Sequence, residues 1–561
     1  MDMIHLSFTK RSNMSKSSSR SALRFVRKAL LLVPVFFVGE TCTKLTEVPH
    51  DALTPTTAFH TDQEILAGLA GVYAQLRTAE GNDHFAALEE LSTDMLVVPT
   101  RGSDWYDNGQ WLDIHKQIWA PNSAGALSFL SNAWNDSFSG VAKANLMIDV
   151  VTKAAPANKD TVLAELKTLR AWYYYMLQDQ FGGVPLVTTT ELQSVARSTR
   201  PQVFSFIESE LTAAIPNLPL KWDAPNYGRL TKGAANAILA SLYINAGVFN
   251  KDCGPADCAG KVSANSYNSC SGVTVAGGKD ACQAAIDAAN AVINSGTYGI
   301  NPVWAKNFSI DNKSSPENIF VVVHSNSTQG IGGNWPMRTL HYNQLSTGDG
   351  GPWNGFATTA EVYRTFPASD ERKAMWLFGQ QKSFENGLNV NDRQGNPLVF
   401  TDTIPDLSGA NEAEGVRFNK FPPQASPPHG SSQPNDFTWF RLSEMYLIRA
   451  EALNEQGNLA SALTDLNFIH TKHDPGNPVS AGTKQALRDA IQRERVLEFA
   501  GEGKRRTDMI RAGTFLSWNE SQTAFRANGI STTPRAAYRI LFPISTNALG
   551  SNSKLVQNSG Y

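Results

Sequence analysis

Two neighbouring segments near the C-terminal end of the chain repeat apolar residues at helical spacing. They span residues 437–455 and 459–473, and only three residues separate them. Because Gly457 lies in this linker and glycine readily adopts the backbone conformation of a sharp turn, the segments are predicted to form an antiparallel helical hairpin. The small side chains of Ala452 and Ala462 allow close approach of the two helices. Such a hairpin has to bury paired apolar faces, which favours a helical scaffold.

Apolar residues recur at the same spacing along the first 300 residues. A capping box formed by Thr61 and Glu64 precedes the first of these patterns. Residues 304–434 are instead rich in Gly, Pro, Asn and Trp, with one strand-like run at 319–323. The sequence therefore predicts a mostly α-helical fold with long loop-rich insertions and minor β structure. The further predicted helices span residues 65–76, 127–141, 162–177, 201–215, 231–245 and 281–294.

A short apolar run near the N-terminus follows a cluster of basic residues. Residues 29–38, ALLLVPVFFV, come directly after Arg27 and Lys28. Such a run matches the hydrophobic region of an export signal and is too short to span a bilayer. We therefore expect residues 1–41 to be a signal peptide.

Cys42 directly follows this segment and is the first cysteine of the chain. A processed cysteine at this place is typical of a lipoprotein, whose acyl chains hold the protein at a membrane surface. A bacterial lipobox has a branched apolar residue three positions before the cysteine and small residues between, whereas this chain has Gly39, Glu40 and Thr41. From these residues alone, lipidation, ordinary cleavage and a free cysteine stay open.

The charge balance argues against one large class of partners. The formal net charge is −2, so the chain lacks the basic surface of a nucleic-acid-binding protein, and we expect no nucleic-acid partner. No apolar run after residue 41 is long enough to span a membrane, so we expect any membrane attachment to come from the N-terminus.

The four remaining cysteines lie close together in a segment rich in Gly, Ser and Asn; they are Cys253, Cys258, Cys270 and Cys282. In an exported protein an even cluster of cysteines predicts disulfides, and four cysteines allow three pairings. A four-thiolate zinc site is the alternative, but it usually requires two short CxxC pairs, which this sequence lacks. We therefore predict two disulfides whose pairing the sequence leaves open.

Charged residues are frequent on the predicted C-terminal helices. Helix neighbours at i and i+4 can place two carboxylates about 5–9 Å apart, the spacing of a glycosidase pair. The intermixed arginines favour the alternative, in which the carboxylates form structural ion pairs. No HExxH, GxSxG or P-loop pattern occurs, so we predict no catalytic residue, metal or cofactor, although bound calcium stays open. The charged residues are Arg441, Glu444, Glu451, Glu494, Arg495, Glu498, Glu502, Arg505, Arg506 and Asp508.

The segment from Arg101 to Trp111, RGSDWYDNGQW, combines tryptophans with planar polar side chains and glycine. Sugar rings present C–H faces and rims of hydroxyls, so a carbohydrate site needs a flat aromatic side chain beside planar polar groups. Trp335 and Trp353 are likewise set among glycines. Alternatively, these tryptophans only fix long loops to the helices. The predicted ligand-binding residues are Arg101, Asp104, Trp105, Tyr106, Asn108, Trp111, His115, Trp335 and Trp353.

Six longer segments follow one another in a recognisable order: TEVPHDALTPTTAFHTDQEI, RAWYYYMLQDQFGGVPLV, GRLTKGAANAILASLYINAG, RLSEMYLIRAEALNEQGN, IQRERVLEFAGEGKRRTDMIRAG and LFPISTNALGSNSKLVQNSGY. With them the chain resembles the SusD/RagB family of outer-membrane nutrient-binding lipoproteins. The C-terminal hairpin, EALNEQGNLASALTDLN, is also similar to a tetratricopeptide hairpin. The chain departs from the family pattern at Ser545, Ala548 and Ser559.

The resemblance implies a SusD-like fold in which tetratricopeptide-like hairpins form a scaffold. It implies an N-terminal helical region with the ligand loop over residues 42–230 and a helical repeat with a cysteine-rich insertion over 231–300. The C-terminal domain then spans 301–561, loop-rich over 301–436 and helical over 437–515.

The resemblance also implies a non-catalytic function at the cell surface. A protein of this family holds oligosaccharides beside a TonB-dependent outer-membrane receptor of the SusC type and delivers them to it. A lipid anchor on Cys42 would then tether the chain to the outer membrane. Peptide capture on the same scaffold, a secreted glycoside hydrolase and a tetratricopeptide adaptor for proteins are the alternatives.

Overall fold

The computed structural model of the chain is built mainly of α-helices. It describes residues 58–59, 61–251, 262–325, 332–348, 350–425, 430–518 and 535–561. The predicted signal peptide, Cys42, Cys253 and Cys258 lie outside these ranges. No helix within them is long and apolar enough to cross a bilayer.

The helices fall into two groups along the chain. The first group is α1 (Asp62–Ala74), α2 (Leu76–Ala79), α3 (Phe85–Leu91), α4 (Gln110–His115), α5 (Ser131–Ala154), α6 (Lys159–Phe181), α7 (Arg200–Ala214), α8 (Lys232–Ile244), α9 (Ala246–Phe249) and α10 (Ala281–Ile293). The second group is α11 (Trp335–Thr339), α12 (Ala360–Thr365), α13 (Leu442–Glu455), α14 (Leu459–His473), α15 (Lys484–Phe499), α16 (Arg505–Ala512) and α17 (Thr546–Ser551).

Short strands form three two-stranded antiparallel sheets in the part of the chain that the structure describes. The strand predicted at 319–323 is confirmed as β1. Strand β1 pairs with β6, β2 with β5, and β3 with β4. The strands are β1 (Asn318–Val322), β2 (Trp376–Leu377), β3 (Gly379–Gln380), β4 (Val399–Phe400), β5 (Arg417–Phe418) and β6 (Phe437–Arg441).

The first helix begins with the capping box that the sequence predicts. The backbone N–H of Glu64 donates to Thr61 Oγ1 at 3.2 Å, and the N–H of Thr61 donates to Glu64 Oε2 at 2.8 Å. Both groups would otherwise lack a partner within the helix. The inward face of α1 then buries Ile65, Leu69 and Val72.

The predicted helical hairpin is confirmed as α13 and α14. Gly457 makes the turn with a φ of 86°, a conformation that other residues adopt only with strain. Ala452 and Ala462 have no exposed surface, because the two helices approach closely at these positions. The same pairwise packing joins α5 to α6, α6 to α7, α8 to α10, and α10 to α13. The main apolar core draws residues from all three predicted regions of the mature chain.

The segment 437–441 was predicted as the start of a helix and instead forms strand β6. Its partner is β1, with Val322 opposite Phe437 and Asn318 opposite Arg441. Aromatic and β-branched side chains favour extended backbone when a partner strand is available. That partner lies more than a hundred residues earlier, so the local helical spacing gave the wrong prediction here.

Buried ion pairs connect β6 with α15 and with the loops between them. Arg441 donates to Glu317 at 2.6 Å and to both Glu498 and Glu502, and all four side chains are nearly inaccessible. Arg372 donates to Glu498 at 2.8 Å from another direction. Burial alone would raise the pKa of Glu498, but Arg441 and the other nearby cations hold it well below its usual value.

The other charged residues singled out in the sequence are paired in the same way. This confirms the interpretation as structural ion pairs. The pairs are Glu444 with Arg495 and Lys504, Glu451 with Arg511, Asp508 with Arg495 and Arg511, Glu494 with Arg372, Arg505 with Asp94, and Arg506 with Asp179.

One disulfide is present among the described cysteines, and it joins Cys270 to Cys282. Cys282 lies in the first turn of α10, so the bond ties the start of this helix to the loop before it. Of the three pairings that the sequence left open, the structure therefore contains the one that links these two cysteines.

Substituting Arg441 with methionine should destabilise the protein strongly. The side chain keeps a similar length, but three buried carboxylates lose a common cation, which costs about 3–5 kcal/mol. Urea unfolding followed by circular dichroism measures the loss. The matched control is Arg364→Met, because Arg364 is half exposed and pairs with Asp402 at the surface. This control should change stability by about 1 kcal/mol or less, and an equal loss in both variants would contradict the prediction.

Candidate functional site

The loop between Arg101 and α4 has an unusual backbone. Trp105, Asp107 and Asn108 adopt positive φ values of 62°, 36° and 57°, although none of them is glycine. Reciprocal hydrogen bonds of 3.0 Å between the backbones of Arg101 and Asp104 close the turn at its base. Such conformations cost about 1–3 kcal/mol each and persist where surrounding contacts enforce them, as they often do at functional sites.

The Arg101 side chain makes some of the contacts that hold the loop in this conformation. Its guanidinium donates to the backbone carbonyls of Asn354 at 3.0 Å, of Glu414 at 2.9 Å, and of Asn411. Burial lowers the pKa of Arg101 to about 10, so the group stays charged at neutral pH. Arg101 is 3% exposed and cannot contact a ligand directly. The prediction that it binds ligand is therefore corrected to a supporting role.

Arg417 makes a second clamp beside the first. Its Nη2 donates to Asn354 Oδ1 at 2.9 Å and to the carbonyl of Glu412 at 2.7 Å. Asn354 itself has a positive φ of 52°. The two arginines together fix the segment around residue 354 against residues 411–415, and the sequence alone gave no indication of Arg417.

Trp105 contacts two other tryptophans, Trp111 and Trp353, beside the segment that the two arginines hold. The indole of Trp105 donates to the carbonyl of Trp353 at 2.7 Å, and the ring centroids of these two residues lie 6.4 Å apart. Trp111 meets Trp105 edge-on at 4.9 Å. A side chain on Gly355 would collide with the Trp105 ring, so the glycine permits this close approach. Trp105 and Trp353 remain partly exposed.

Charged and polar groups line the edge of these rings. The Tyr342 hydroxyl donates to Asp104 Oδ2 at 2.6 Å, and Arg393 Nη2 donates to the same oxygen at 2.8 Å. The hydrogen bond from Tyr342 lowers the pKa of Asp104, with a further contribution from Arg393. The Arg393 guanidinium also lies 4.0 Å from the centre of the Tyr342 ring and pairs with Glu412.

We call the accessible side chains of this loop, together with those that contact them, the aromatic surface. Sequence reasoning missed Tyr342 and Arg393. Tyr342 follows Trp335 in the same loop-rich segment, and its aromatic ring there was a weak indication of a ligand contact. Arg393 lies in a polar turn, and nothing in the sequence connects it with residue 104. The members of the aromatic surface are Asp104, Trp105, Tyr106, Asn108, Tyr342, Trp353 and Arg393.

Tyr106 and Asn108 lie on the exposed part of the loop, as expected. Tyr106 is 59% exposed, the largest exposure of the predicted aromatic residues. Asn108 is exposed at the end of the strained turn. Five of the nine predicted ligand-binding residues are thus accessible, since Asp104, Trp105 and Trp353 are also partly exposed.

Trp111, His115 and Trp335 are buried, which corrects the prediction that they contact ligand. Trp111 is 3% exposed and its indole donates to Asp107 Oδ2 at 2.7 Å. His115 has no exposed surface. Trp335 packs in the core against Phe421 and Phe437, with its ring nearly parallel to both. Their sequence surroundings are polar or rich in glycine, but large rings are buried wherever distant parts of the chain meet them.

The aromatic surface does not line the groove of about 730 Å³ that lies between α12, α15 and residues 265–267. No group of His, Cys, Asp or Glu side chains in the described ranges has the arrangement of a metal site. The aromatic surface therefore offers ring faces, one carboxylate and one guanidinium to an extended ligand.

Two family models and a relative of known function match the chain. A family model described as the SusD family matches residues 289–561, and a second, described as starch-binding associating with outer membrane, matches residues 46–244. The starch-binding protein SusD of Bacteroides thetaiotaomicron is 24% identical over 497 residues, which cover 82% of each chain.

Solved structures share the fold. A SusD superfamily protein of Parabacteroides distasonis superposes with a TM-score of 0.69 at 19% identity, over 91% of this chain and 100% of that one. A laminarin-binding SusD-like protein superposes with a TM-score of 0.67 at 23% identity, over 89% and 100%. The predicted mostly α-helical, SusD-like fold is thereby confirmed.

Substituting Arg101 with lysine should weaken the support of the aromatic surface. Arg101 donates from three separate nitrogens of a planar group, whereas lysine has all its donors on one nitrogen and cannot reach all three carbonyls, so buried acceptors are left without donors. We expect a loss of about 2–3 kcal/mol in the free energy of unfolding, measured by urea titration of tryptophan fluorescence. The control is Arg393→Lys at a side chain that is 46% exposed. If both variants lose the same stability, the clamp is not what fixes the loop.

Proposed function

The chain belongs to the SusD family, and from this premise we propose that it captures oligosaccharides at the cell surface through the aromatic surface. The family consists of carbohydrate-binding proteins and not of enzymes, in agreement with the prediction of a non-catalytic role. The observation that carries the proposal is the set of contacts made by the consecutive residues Asp104 and Trp105. Trp105 donates to the carbonyl of Trp353, and Asp104 accepts from Tyr342 and Arg393.

The chemistry of this face suits a sugar ring. An indole ring can cover the C–H face of a pyranose, and it loses little conformational entropy because its rotamer is already fixed by packing. The ionised Asp104 accepts hydrogen bonds from sugar hydroxyls, while Arg393 has further N–H groups for hydroxyl oxygens. The bond from Tyr342 to Asp104 keeps the carboxylate in place before the ligand arrives.

The partly exposed rings of Trp105 and Trp353 suit an extended polymer that lies across them. A long glycan can lie across the rings and extend into solvent at both ends. Such contacts bury less of the ligand than an enclosed pocket does, so we expect weak to moderate affinity. The relatives named for starch and laminarin, both glucose polymers, point to neutral glucans as the first ligands to test.

We further propose that the bound glycan passes to a TonB-dependent, SusC-like receptor in the outer membrane. The family model described as associating with the outer membrane supports this location. A capture protein has to stay beside its transporter, and acyl chains on Cys42 would hold it there, since each buried methylene contributes about 0.8 kcal/mol. The apolar run before Cys42 supplies the export signal that such processing needs.

The glycan proposal predicts that Trp105→Ala and Trp353→Ala each weaken binding of laminarihexaose or maltohexaose by about tenfold or more. Isothermal titration calorimetry measures the affinity, and circular dichroism verifies folding. The matched control is Tyr446→Ala, which removes a partly exposed aromatic side chain that packs on Phe468 of α14. Unchanged affinity in both tryptophan variants would refute the proposed surface. Binding of a peptide mixture, with no response to any glucan, would favour peptide capture instead.

Lipidation predicts that cells expressing the full chain incorporate an alkynyl palmitate analogue into the protein. Cys42→Ala should abolish the label and release the protein from the outer-membrane fraction. A substitution at Cys270 serves as the control, because this cysteine is buried in a disulfide. A mature protein that carries no label and begins at a residue other than Cys42 would exclude the anchor.

A further inference from the structure

A second groove lies between the segment 220–231 and strand β1. Its volume of about 430 Å³ is within the range of small-molecule sites. The residues of the aromatic surface do not line it. Its side chains include three aromatic rings and three cations, namely Trp222, Tyr227, Tyr298, Lys221, Arg229 and Lys313.

The aromatic part of this groove is rigid. The Arg229 guanidinium lies 3.9 Å from the centre of the Trp222 ring, and the indole N–H of Trp222 donates to the carbonyl of Leu230 at 2.9 Å. Arg229 is itself held by Glu165, with bonds of 2.5 and 3.1 Å. The ring is therefore fixed before any ligand binds, which lowers the entropic cost of binding.

The hydroxyl groups of the tyrosines are also held in place. Tyr227 donates to Asp436 Oδ2 at 2.9 Å, and the Tyr298 hydroxyl shares a hydrogen bond of 2.8 Å with Thr231. Further hydroxyls of Thr297, Ser314 and Ser315 line the wall. The groove thus combines fixed rings with several neutral hydrogen-bonding groups.

The charged residues that line the groove are cations, and the nearby carboxylate of Asp223 interacts with one of them, Arg229. No aspartate or glutamate is among its lining residues. Glu165 neutralises Arg229, but Lys221 and Lys313 are exposed and make no ion pair with any carboxylate in the described ranges. Asp436 is close enough to interact with Lys313, yet it is already bound by Tyr227 and by the backbone of His324.

A groove lined by cations is not an anion site when carboxylates of the protein already bind those cations. The groove of about 730 Å³ between α12 and α15 contains two examples. Its Arg505 forms two hydrogen bonds with Asp94, at 2.7 and 2.6 Å. Its Arg488 is likewise paired with Glu455 through both oxygens. These cations are neutralised within the protein, whereas the two lysines beside Trp222 are left for an external anion.

We propose that the groove around Trp222 is a second binding site that takes an anionic sugar ring, with the carboxylate or sulfate group between Lys221 and Lys313. The rings of Trp222 and Tyr227 lie where a pyranose can pack, and the wall hydroxyls can bond its rim. This site is separate from the aromatic surface and does not depend on its function.

The test uses isothermal titration with two acidic probes and one neutral probe at low salt. The probes are tetragalacturonate, which carries carboxylates, a sulfated κ-carrageenan tetrasaccharide, and neutral maltotetraose. The variant is the double substitution Lys221→Ala and Lys313→Ala. The charge-matched control is Lys382→Ala with Lys554→Ala, two exposed lysines that line neither groove.

The wild-type protein should bind at least one acidic probe, and the probe that binds identifies the preferred anion. The Lys221/Lys313 variant should lose affinity by about tenfold or more, because the anion loses two charged hydrogen-bond donors. The control variant should bind as the wild type does, and added salt should weaken binding.

Failure of both acidic probes to bind the wild-type protein would overturn the proposal. Equal affinity of the Lys221/Lys313 variant and the wild type would overturn it as well. Loss of acidic-probe binding in Trp105→Ala, with no loss in the lysine variant, would assign the probe to the aromatic surface and so refute a second site. Maltotetraose separates the two proposals, because its binding should respond to Trp105→Ala and not to the lysine substitutions.

Discussion

The buried ion pairs around Glu498 are the interaction on which the arrangement of the other elements depends. Glu498 lies on α15 and binds Arg441 at the end of β6 and Arg372 in the loop-rich region. A buried charge without a partner is very costly, so these three parts of the chain can fold only into positions that keep the charges together. The ion pairs therefore select one arrangement of helices and loops, in addition to the apolar packing of the core.

Buried arginines serve a similar purpose beneath the aromatic surface. The loops there have little regular secondary structure, so their backbone carbonyls lack the partners that helices and sheets provide. Arg101 and Arg417 supply those donors from a fixed, planar group. With the carbonyls satisfied, the loop can hold Trp105 and Asn108 at strained backbone angles and still present their side chains in one orientation.

Helical spacing and turn residues gave reliable predictions wherever structure depended on neighbours in the sequence. The α13–α14 hairpin, its turn at Gly457 and the capping box at Thr61 are examples. The same spacing failed at residues 437–441, because their extended backbone depends on pairing with β1. For the candidate site, composition did not indicate which tryptophans are accessible, since Trp111 and Trp335 are covered by other aromatic rings.

The sequence by itself determined the helical scaffold, the family resemblance and the loop that carries the accessible rings of Trp105 and Tyr106. These properties follow from residue order and from contacts within a few turns of helix. Only the tertiary structure decided which tryptophans are exposed, that Arg101 is a clamp, and that Tyr342 and Arg393 join Asp104. Burial and long-range hydrogen bonds depend on which distant segments meet, and no local pattern of residues contains that information.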